Sequence, residues 1–302
     1  MSQDWEMDPD VSIDKLLERI RQKRPLIHHI TNQVTMNDCA NTAYAIGARP
    51  TMAFYAPEAM QAAAVADAVV WNLGTFHPEM AEAIRASLPV VCQRAIPVVI
   101  DPVAAGAYPG RRDFLLEILA AFEEAYREKQ MKCQVIIRCN ASELVCLRES
   151  LKRPSFPEYH SSQIGGVDDL AMSVDPDRIC RDVLQIFQER LPVCVVMTGQ
   201  TDYIGWTDLF CASPGSEKID FRLLTVPESC RLLTCMTGAG CMSNTLVAAF
   251  ASVADPYRYA GYAAQAALTY FVQSAGRAEK SSSGMGTFRM HLMDELSRSV
   301  FA

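Results

Sequence analysis

The sequence predicts a single α/β domain. Short, almost wholly apolar runs of strand length alternate with longer segments of helical periodicity, and several of these runs end at a polar or acidic residue. Half of the 302 residues are hydrophobic, so the chain can bury a sizeable core. Because neither an internal repeat nor a linker divides the chain, we interpret residues 1–302 as one domain.

The overall charge argues against nucleic acid as a partner. The chain has 28 lysines and arginines and 35 aspartates and glutamates, which gives a net charge of −7, and it has no long basic run. A broad nucleic-acid-binding face is therefore not expected, although a local site can still hold an anionic small molecule. The first ten residues are acidic and no apolar stretch reaches about 18 residues, so we expect no membrane segment.

The cysteines predict a reducing compartment, most simply the cytoplasm. The chain has 11 cysteines, an odd number, and none of them forms a C-x-x-C pair. Many lie in apolar runs, as Cys92, Cys133, Cys194 and Cys211 do. We therefore interpret them as reduced core thiols rather than as disulfides or ligands of a structural zinc.

The first elements are a helix, a strand and an unusually polar segment. Residues 11–23 have helical spacing and Leu26–Ile30 reads as a strand. Capping by Thr31 or Asn32 would account for one or two of the polar side chains in residues 31–41. It leaves unexplained the polar side chains of Asn37, Asp38 and Asn41. Because buried polar groups are costly without partners, this segment favours a small-molecule pocket.

Two more α/β steps follow, each ending at the same predicted edge of the sheet. The predicted elements are an extended segment 49–52, a helix 57–67, a strand 68–73, a helix 78–94 and a strand 97–102. The last strand ends at the carboxylate of Asp101 and is followed by the small-residue loop 103–107. Ligands of such sheets bind at the carboxyl ends of the strands, so Asp101 is a candidate site residue.

The middle of the chain repeats the pattern and adds a charged strand end. We predict a helix over 113–128 and a strand over 134–138, with Arg138 at its tip. Asn140 and Glu143 have the spacing of a capping box, in which each side chain accepts a backbone N–H of the other residue. The segment can both place charged side chains at the carboxyl edge of the sheet and cap the start of the next helix, so the two interpretations are compatible.

Residues 149–178 interrupt the alternation. The segment is rich in proline, glycine and serine, and we expect it to be a surface insertion. A helix over 179–190 and a strand over 193–199 follow. Residues 203–206 and 221–224 are predicted to pair in antiparallel fashion at the edge of the sheet.

The segment Thr237-Gly238-Ala239-Gly240-Cys241 organises the remainder of the chain. Its small residues precede an apolar helix reaching residue 253, and the first N–H groups of such a helix form a ready anion site. The helix dipole is expected to lower the pKa of the Cys241 thiol below about 8.5. A turn that only allows close packing, with a buried cysteine, is the alternative. Helices over 256–279 and to about residue 298 complete the chain.

These segments together resemble the hydroxyethylthiazole kinase family of thiamine salvage, part of the ribokinase-like superfamily. The family's motifs occur in order between about residues 11 and 300. They are residues 31–41, Asp101-Pro102-Val103, Arg138-Cys139-Asn140-Ala141-Ser142-Glu143, Thr198-Gly199 and Thr237-Gly238-Ala239-Gly240-Cys241.

The resemblance implies a fold, an assembly and a reaction. The fold is a ribokinase-like central sheet, mostly parallel, with helices on both faces, and the assembly is a homotrimer with active sites at subunit boundaries. The reaction is ATP- and Mg²⁺-dependent phosphorylation of the primary alcohol of 4-methyl-5-(2-hydroxyethyl)thiazole.

The resemblance also assigns roles to individual residues. Arg138 and Thr198 hold ATP phosphates, and Asp101 and Glu143 serve the magnesium ion. Met52, Gly238 and Asn32 belong to the thiazole site. Gly238, Ala239 and Gly240 form an anion hole, and Cys241 occupies the position of the aspartate base in many related sugar kinases.

Two other functions remain open at this point. One is a kinase for another small heteroaromatic alcohol, such as hydroxymethylpyrimidine or pyridoxal. The other is a non-catalytic ligand sensor of the same fold. The sensor function is supported by Cys139 and Ala104, which stand where glycine is common in the family. Their side chains add two Cβ atoms near the expected phosphate path.

Overall fold

The computed structural model describes residues 12–129, 134–152, 175–188, 190–207, 221–227, 230–255 and 260–301. One eight-stranded sheet with the order β2-β1-β3-β4-β5-β6-β7-β8 lies at its centre. The strands are β1 (Leu26–Ile30), β2 (Arg49–Thr51), β3 (Ala68–Asn72), β4 (Val98–Asp101), β5 (Val135–Asn140), β6 (Val193–Thr198), β7 (Asp202–Thr207) and β8 (Phe221–Val226). The α/β prediction is confirmed.

One strand, β7, runs opposite to all the other strands of the sheet. All pairings from β2 through β6 are parallel, whereas β6 with β7 and β7 with β8 are antiparallel. The predicted antiparallel pair at the edge is therefore confirmed. The five central strands β1, β3, β4, β5 and β6 are almost fully buried, as expected for parallel strands covered on both faces.

Helices cover both faces of the sheet. They are α1 (Ile13–Lys23), α2 (Met36–Ala45), α3 (Ala56–Val65), α4 (Pro78–Arg94), α5 (Pro109–Lys129), α6 (Ala141–Lys152), α7 (Pro176–Phe187), α8 (Arg231–Cys235), α9 (Ala239–Ala251), α10 (Ala260–Lys280) and α11 (Met285–Phe301). One apolar core joins the sheet to α1, α2 and α8 to α11. A second core joins the opposite face to α3 to α7.

Several predicted boundaries are wrong by a few residues. Helix α5 begins at Pro109 rather than at residue 113, and the predicted helix 179–190 is α7, which spans Pro176–Phe187. Both ends of the predicted insertion 149–178 are helical, because α6 continues to Lys152 and α7 begins at Pro176. The remainder, residues 153–174, lies outside the described residues, so its prediction as a surface insertion is not tested.

The described cysteines include buried thiols of the predicted kind. Cys92 and Cys194 are buried, whereas Cys133 and Cys211 lie outside the described residues. Within the described ranges, no helix is both long and apolar enough to cross a membrane.

Candidate active site

Four neighbouring strands direct polar side chains to the face of the sheet covered by α9. Residues two apart in a strand share a face, and Val70, Val99, Ile136 and Val196 all pack in the core on this face. The residue two positions later in each strand is polar, and each stands at or near the carboxyl end. These residues are Asn72 in β3, Asp101 in β4, Arg138 in β5 and Thr198 in β6.

The glycine turn before α9 has the close approach that the sequence predicted. Gly238 has a φ of 93°, in the left-handed region that favours glycine, and precedes the first residue of α9. A Cβ atom on Gly238 would lie 2.8 Å from Thr35 Cγ2, in the loop that leads into α2. The turn therefore brings the N-terminus of α9 against the polar segment 31–41.

The same N-terminus meets the side chain of Arg138. A Cβ atom on Gly240 would lie 2.6 Å from Arg138 Nη1, and the Arg138 side chain is only 14% exposed. Arg138 is an inner residue of β5 rather than its tip, because the strand continues to Asn140. A guanidinium and the positive end of a helix dipole thus share one space, an arrangement that favours an anion between them.

The backbone N–H of Ala239, predicted to be part of the anion hole, already has a hydrogen-bond partner. Its N–H donates to the Met236 carbonyl at 3.4 Å. Gly240 and Ala239 nevertheless both line the cleft beside Arg138.

Asp101 is the buried acid of the site. Its Oδ2 accepts amide N–H bonds from Asn72 at 2.7 Å and from Asn244 at 2.6 Å, and it lies 3.9 Å from Arg138 Nη1. Burial raises the pKa of Asp101 to about 6, although Arg138 and the two amides oppose this rise. The nearby Glu143 carboxylate raises it as well.

Glu143 closes the predicted capping box and also reaches the neighbouring loop. Its Oε2 accepts the Asn140 N–H at 2.9 Å, while the Glu143 N–H donates to Asn140 Oδ1 at 2.8 Å. Its Oε1 accepts the Ala104 N–H at 2.7 Å. The capping prediction is confirmed, and Glu143 additionally fixes the loop that follows β4.

Cys241 lies in the first turn of α9 but its predicted pKa shift has the wrong sign. Burial raises the pKa of the Cys241 thiol, and the Asp101 carboxylate raises it further. Side-chain N–H groups of Asn32, at 3.2 Å, and Asn72, at 3.4 Å, point at the sulfur. Hydrogen bonds and the charge of Arg138 act in the lowering direction without overcoming burial. The helix dipole therefore does not produce a low-pKa thiol here.

Asn32 organises the polar loop in a way that the sequence did not predict. Helix α2 begins at Met36, so neither Thr31 nor Asn32 is its N-cap. Asn32 Oδ1 instead accepts the N–H groups of Val34 and Thr35 at 3.1 Å, and its Nδ2 donates to Asn72 Oδ1 at 3.0 Å. The loop is thereby fixed to the carboxyl end of β3.

Sequence reasoning missed Asn72 and Asn244. Both are fully buried, and both bind Asp101. For Asn72 a signal was available, because it ends a buried strand two residues after Val70 and alternation directs it to the face of Asp101. Asn244 offered none, since it is a polar residue one turn into an apolar helix.

A cleft of about 290 Å³ opens beside these groups. Its polar lining includes Arg138, Thr198, Gly199 and Asp202. Its apolar lining includes Leu233, Leu268, Phe271 and Val272. The Asp202 carboxylate accepts the Gly199 N–H at 3.0 Å and thereby fixes the turn between β6 and β7.

Met52 lies outside this cleft. It directly follows β2, whose Thr51 pairs with His28 of β1. The His28 ring contacts the Ala53 carbonyl at 3.0 Å. Met52 therefore flanks the loop that carries Asn32, on the opposite side from Arg138.

The two residues that replace glycine occupy different environments. Cys139 is fully buried in the core on the other face of the sheet, among Ile137 and Leu144, so its side chain does not enter the cleft. Ala104 has a φ of 56° in the left-handed region, at the loop that Glu143 fixes. The support for a non-catalytic sensor is thus reduced to backbone strain at Ala104.

Comparison with known proteins gives a consistent result over nearly the whole chain. A family model described as the hydroxyethylthiazole kinase family matches residues 17–300. A hydroxyethylthiazole kinase of Moorella thermoacetica is 35% identical, over 92% of this chain and 90% of that protein. One of Roseiflexus sp. is 34% identical, over 96% and 93%. The solved structure of the Pyrococcus horikoshii OT3 hydroxyethylthiazole kinase is 29% identical, with a TM-score of 0.72 and coverage of 95% and 92%.

Proposed function

The chain belongs to the hydroxyethylthiazole kinase family, and on that premise we propose that it transfers the γ-phosphoryl group of ATP to the primary alcohol of 4-methyl-5-(2-hydroxyethyl)thiazole. One observation carries the proposal at the level of the site: Arg138 and the N-terminus of α9 line one cleft, and Asp101 lies 3.9 Å from Arg138 Nη1. Phosphoryl transfer depends mainly on positioning and on stabilising charge, and these groups supply both.

ATP is proposed to bind in this cleft. Its apolar lining, which includes Leu268 and Phe271, suits the flat face of adenine, whereas Arg138 and Thr198 suit the phosphates. The Thr198 hydroxyl donates to the Cys139 carbonyl at 3.3 Å, and its oxygen remains able to accept another bond. The γ-phosphate then lies toward Gly240 and the first turn of α9.

Magnesium suits the carboxylates beside this position. Mg²⁺ is usually bound through one or two carboxylates together with phosphate oxygens and water. Asp101 and Glu143 are close enough to influence one another's charge, and each retains lone pairs beyond its amide bonds. When bound, the ion would neutralise charge on the phosphates, while Arg138 would limit repulsion between the phosphates and the buried Asp101 carboxylate.

The alcohol is proposed to bind on the other side of Cys241. Gly238 and Asn32 border this position, and Met52 flanks the same loop. The alcohol oxygen attacks the γ-phosphorus as the bond to the ADP oxygen breaks, and the alcohol proton leaves late. Cys241 is the proposed acceptor of that proton when it is ionised.

A homotrimer with sites at subunit boundaries is proposed from the surface near Met52. Large apolar side chains are exposed on the loop before α2, on α2 itself and around the start of α3. They are Val34, Tyr44, Tyr55 and Met60. Exposed apolar side chains of this size are typical of an interaction surface, and Val34 belongs to the loop that carries Asn32 of the proposed alcohol site. We further propose a cytoplasmic location, because free thiols are typical of a reducing compartment.

An assay of ADP release tests the function. Purified protein with ATP and Mg²⁺ should release ADP when hydroxyethylthiazole is added. It should release much less with hydroxymethylpyrimidine or pyridoxal and almost none without an alcohol. Preference for either other alcohol would replace the proposed substrate. Binding of hydroxyethylthiazole without ADP release would instead indicate a sensor.

A further inference from the structure

Asn72 contacts both chemically active groups of the site. It is the last residue of β3 and is fully buried. Its Nδ2 donates to Asp101 Oδ2 at 2.7 Å and lies 3.4 Å from Cys241 Sγ. One amide nitrogen thus joins the proposed metal ligand in β4 to the proposed proton acceptor in α9.

The other end of the Asn72 amide is occupied as well. Its Oδ1 accepts the Asn32 Nδ2–H and the Gly74 N–H, each at 3.0 Å. The amide has one workable orientation, because a flip would turn its oxygen toward the Asp101 carboxylate and its N–H groups toward two other donors. Asn72 is therefore held by four partners.

Gly74 shows that the space around this amide is fully used. A Cβ atom on Gly74 would lie 2.9 Å from Asn72 Oδ1 and 2.9 Å from Asn32 Cβ. A methyl group there would displace both amides without removing any of their hydrogen-bonding groups. Gly74→Ala can therefore displace the Asn72 side chain while leaving its amide group intact.

We propose that Asn72 is the positioning residue that fixes Cys241 Sγ relative to Asp101 Oδ2, so that the alcohol site and the magnesium site are held as one unit. The inference rests on the proposed kinase function and adds a residue to it. Asn244 is the useful contrast, because it also donates to Asp101 Oδ2 and has no hydrogen bond to Cys241 Sγ among the described contacts. Small errors in the placement of reacting groups lower the reaction rate strongly. A residue that holds Cys241 and Asp101 at a fixed separation would therefore support a high kcat.

Steady-state kinetics of Asn72→Ala test the proposal. Loss of a hydrogen bond to a charged group predicts a fall in kcat of about 10- to 100-fold. KM for ATP should change less than about threefold, because Asn72 does not line the ATP cleft. Gly74→Ala should lower kcat in the same way but by less. Gly276→Ala, at a helical glycine with nothing within 4 Å, is the matched control and should leave kcat unchanged.

A double-mutant cycle separates positioning from general destabilisation. The kcat loss caused by Asn72→Ala should be smaller in a Cys241→Ala background, because one of the two positioned groups is already gone. The loss caused by Asn244→Ala should be the same in both backgrounds. Equal losses from Asn72→Ala in both backgrounds would overturn the proposal.

Crystal structures of the wild-type protein and of Asn72→Ala supply a readout that does not depend on turnover. The expected result is displacement of Cys241 Sγ, of the Asp101 carboxylate or of both. Unchanged positions of both groups would overturn the proposal even if activity fell. If wild-type protein released no ADP with hydroxyethylthiazole, the proposed function would fail, whereas the crystal structures would still decide the positioning role. If Asn72→Ala did not fold, Gly74→Ala would carry both comparisons.

Discussion

The guanidinium of Arg138 lies against the backbone of Gly240, where a Cβ atom would be 2.6 Å from Nη1 and 3.1 Å from Nη2. Gly240→Ala should therefore turn Arg138 away from the phosphate position. We expect KM for ATP to rise about tenfold, the lower value for a bond to a charged group. Gly276→Ala has open space around it and should instead stabilise its helix by up to about 1 kcal/mol with unchanged kinetics. Unaltered KM in Gly240→Ala would argue against phosphate binding by Arg138.

Removal of the Arg138 side chain tests its role directly. Arg138→Ala should lower kcat/KM for ATP by about one to two decades, since a charge-assisted bond contributes roughly 1.5 to 3 kcal/mol. The fold should persist, because the side chain lines a cleft rather than a core. Arg181→Ala, which removes an exposed pair with Asp177, is the control and should have wild-type kinetics. Equal kcat/KM values for the two variants would refute the assignment.

The pH dependence of kcat distinguishes two roles for Cys241. If its thiolate accepts the alcohol proton, kcat should keep rising beyond about pH 8.5, because burial raises the thiol pKa above its ordinary value. Cys241→Ala should remove this rise and lower kcat by about 10² to 10⁴. Cys235→Ala changes an exposed thiol and serves as the control. A Cys241→Ala variant that retains kcat within about threefold would leave packing as the only role of this cysteine.

Ala104 should be improved by glycine. An alanine in the left-handed region carries a cost of roughly 1 to 2 kcal/mol, which exceeds what glycine loses through its freer unfolded chain. Ala104→Gly should therefore raise the free energy of unfolding by up to about 1 kcal/mol, measured by urea denaturation. The N–H bond to Glu143 Oε1 should survive, so kcat should not fall. A destabilised variant would show that the methyl group makes contacts worth more than the strain.

Acid should destabilise the protein partly through His29. Burial, together with the neighbouring His28, lowers the pKa of His29 to about 4, whereas the unfolded chain has the ordinary value of 6.5. Between these values the unfolded state binds the extra proton, so stability falls as pH decreases from 6.5 toward 4, by on the order of 3 kcal/mol. In His29→Gln, urea denaturation at pH 7 and pH 5 should show a smaller decrease than in wild type. Identical decreases would assign the acid sensitivity to other groups.

The alternation of sequence patterns determined the fold class and the outline of the site. Short apolar runs such as 135–137, which alternate with longer helical segments, favour buried strands, and a polar residue that ends such a run is expected at the carboxyl edge of a parallel sheet. The capping box at Asn140 and Glu143 was equally local, because its two bonds join residues three apart. Asp101 and Arg138 could for this reason be named from the sequence, whereas Thr198 was named through the family resemblance.

The wrong prediction for Cys241 shows what such patterns omit. The position of a cysteine in the first turn of a helix lowers its thiol pKa only where the thiol is partly exposed to water and has positive charge nearby. Here the sulfur is largely buried and lies near the Asp101 carboxylate, and both conditions depend on segments more than a hundred residues away.

The sequence by itself thus determined the order of strands and helices and, to within a few residues, where most of them begin and end, because these features depend on near neighbours in the chain. Only the tertiary structure decided which of those residues touch. Asn72 joins Asn32, Asp101 and Cys241 across separations of 29 to 169 residues. Gly261 likewise leaves room for Trp206, whose ring would lie 2.0 Å from a Cβ atom there. Packing at such distances along the chain leaves no periodic signal, since it depends on how whole helices and strands fit together.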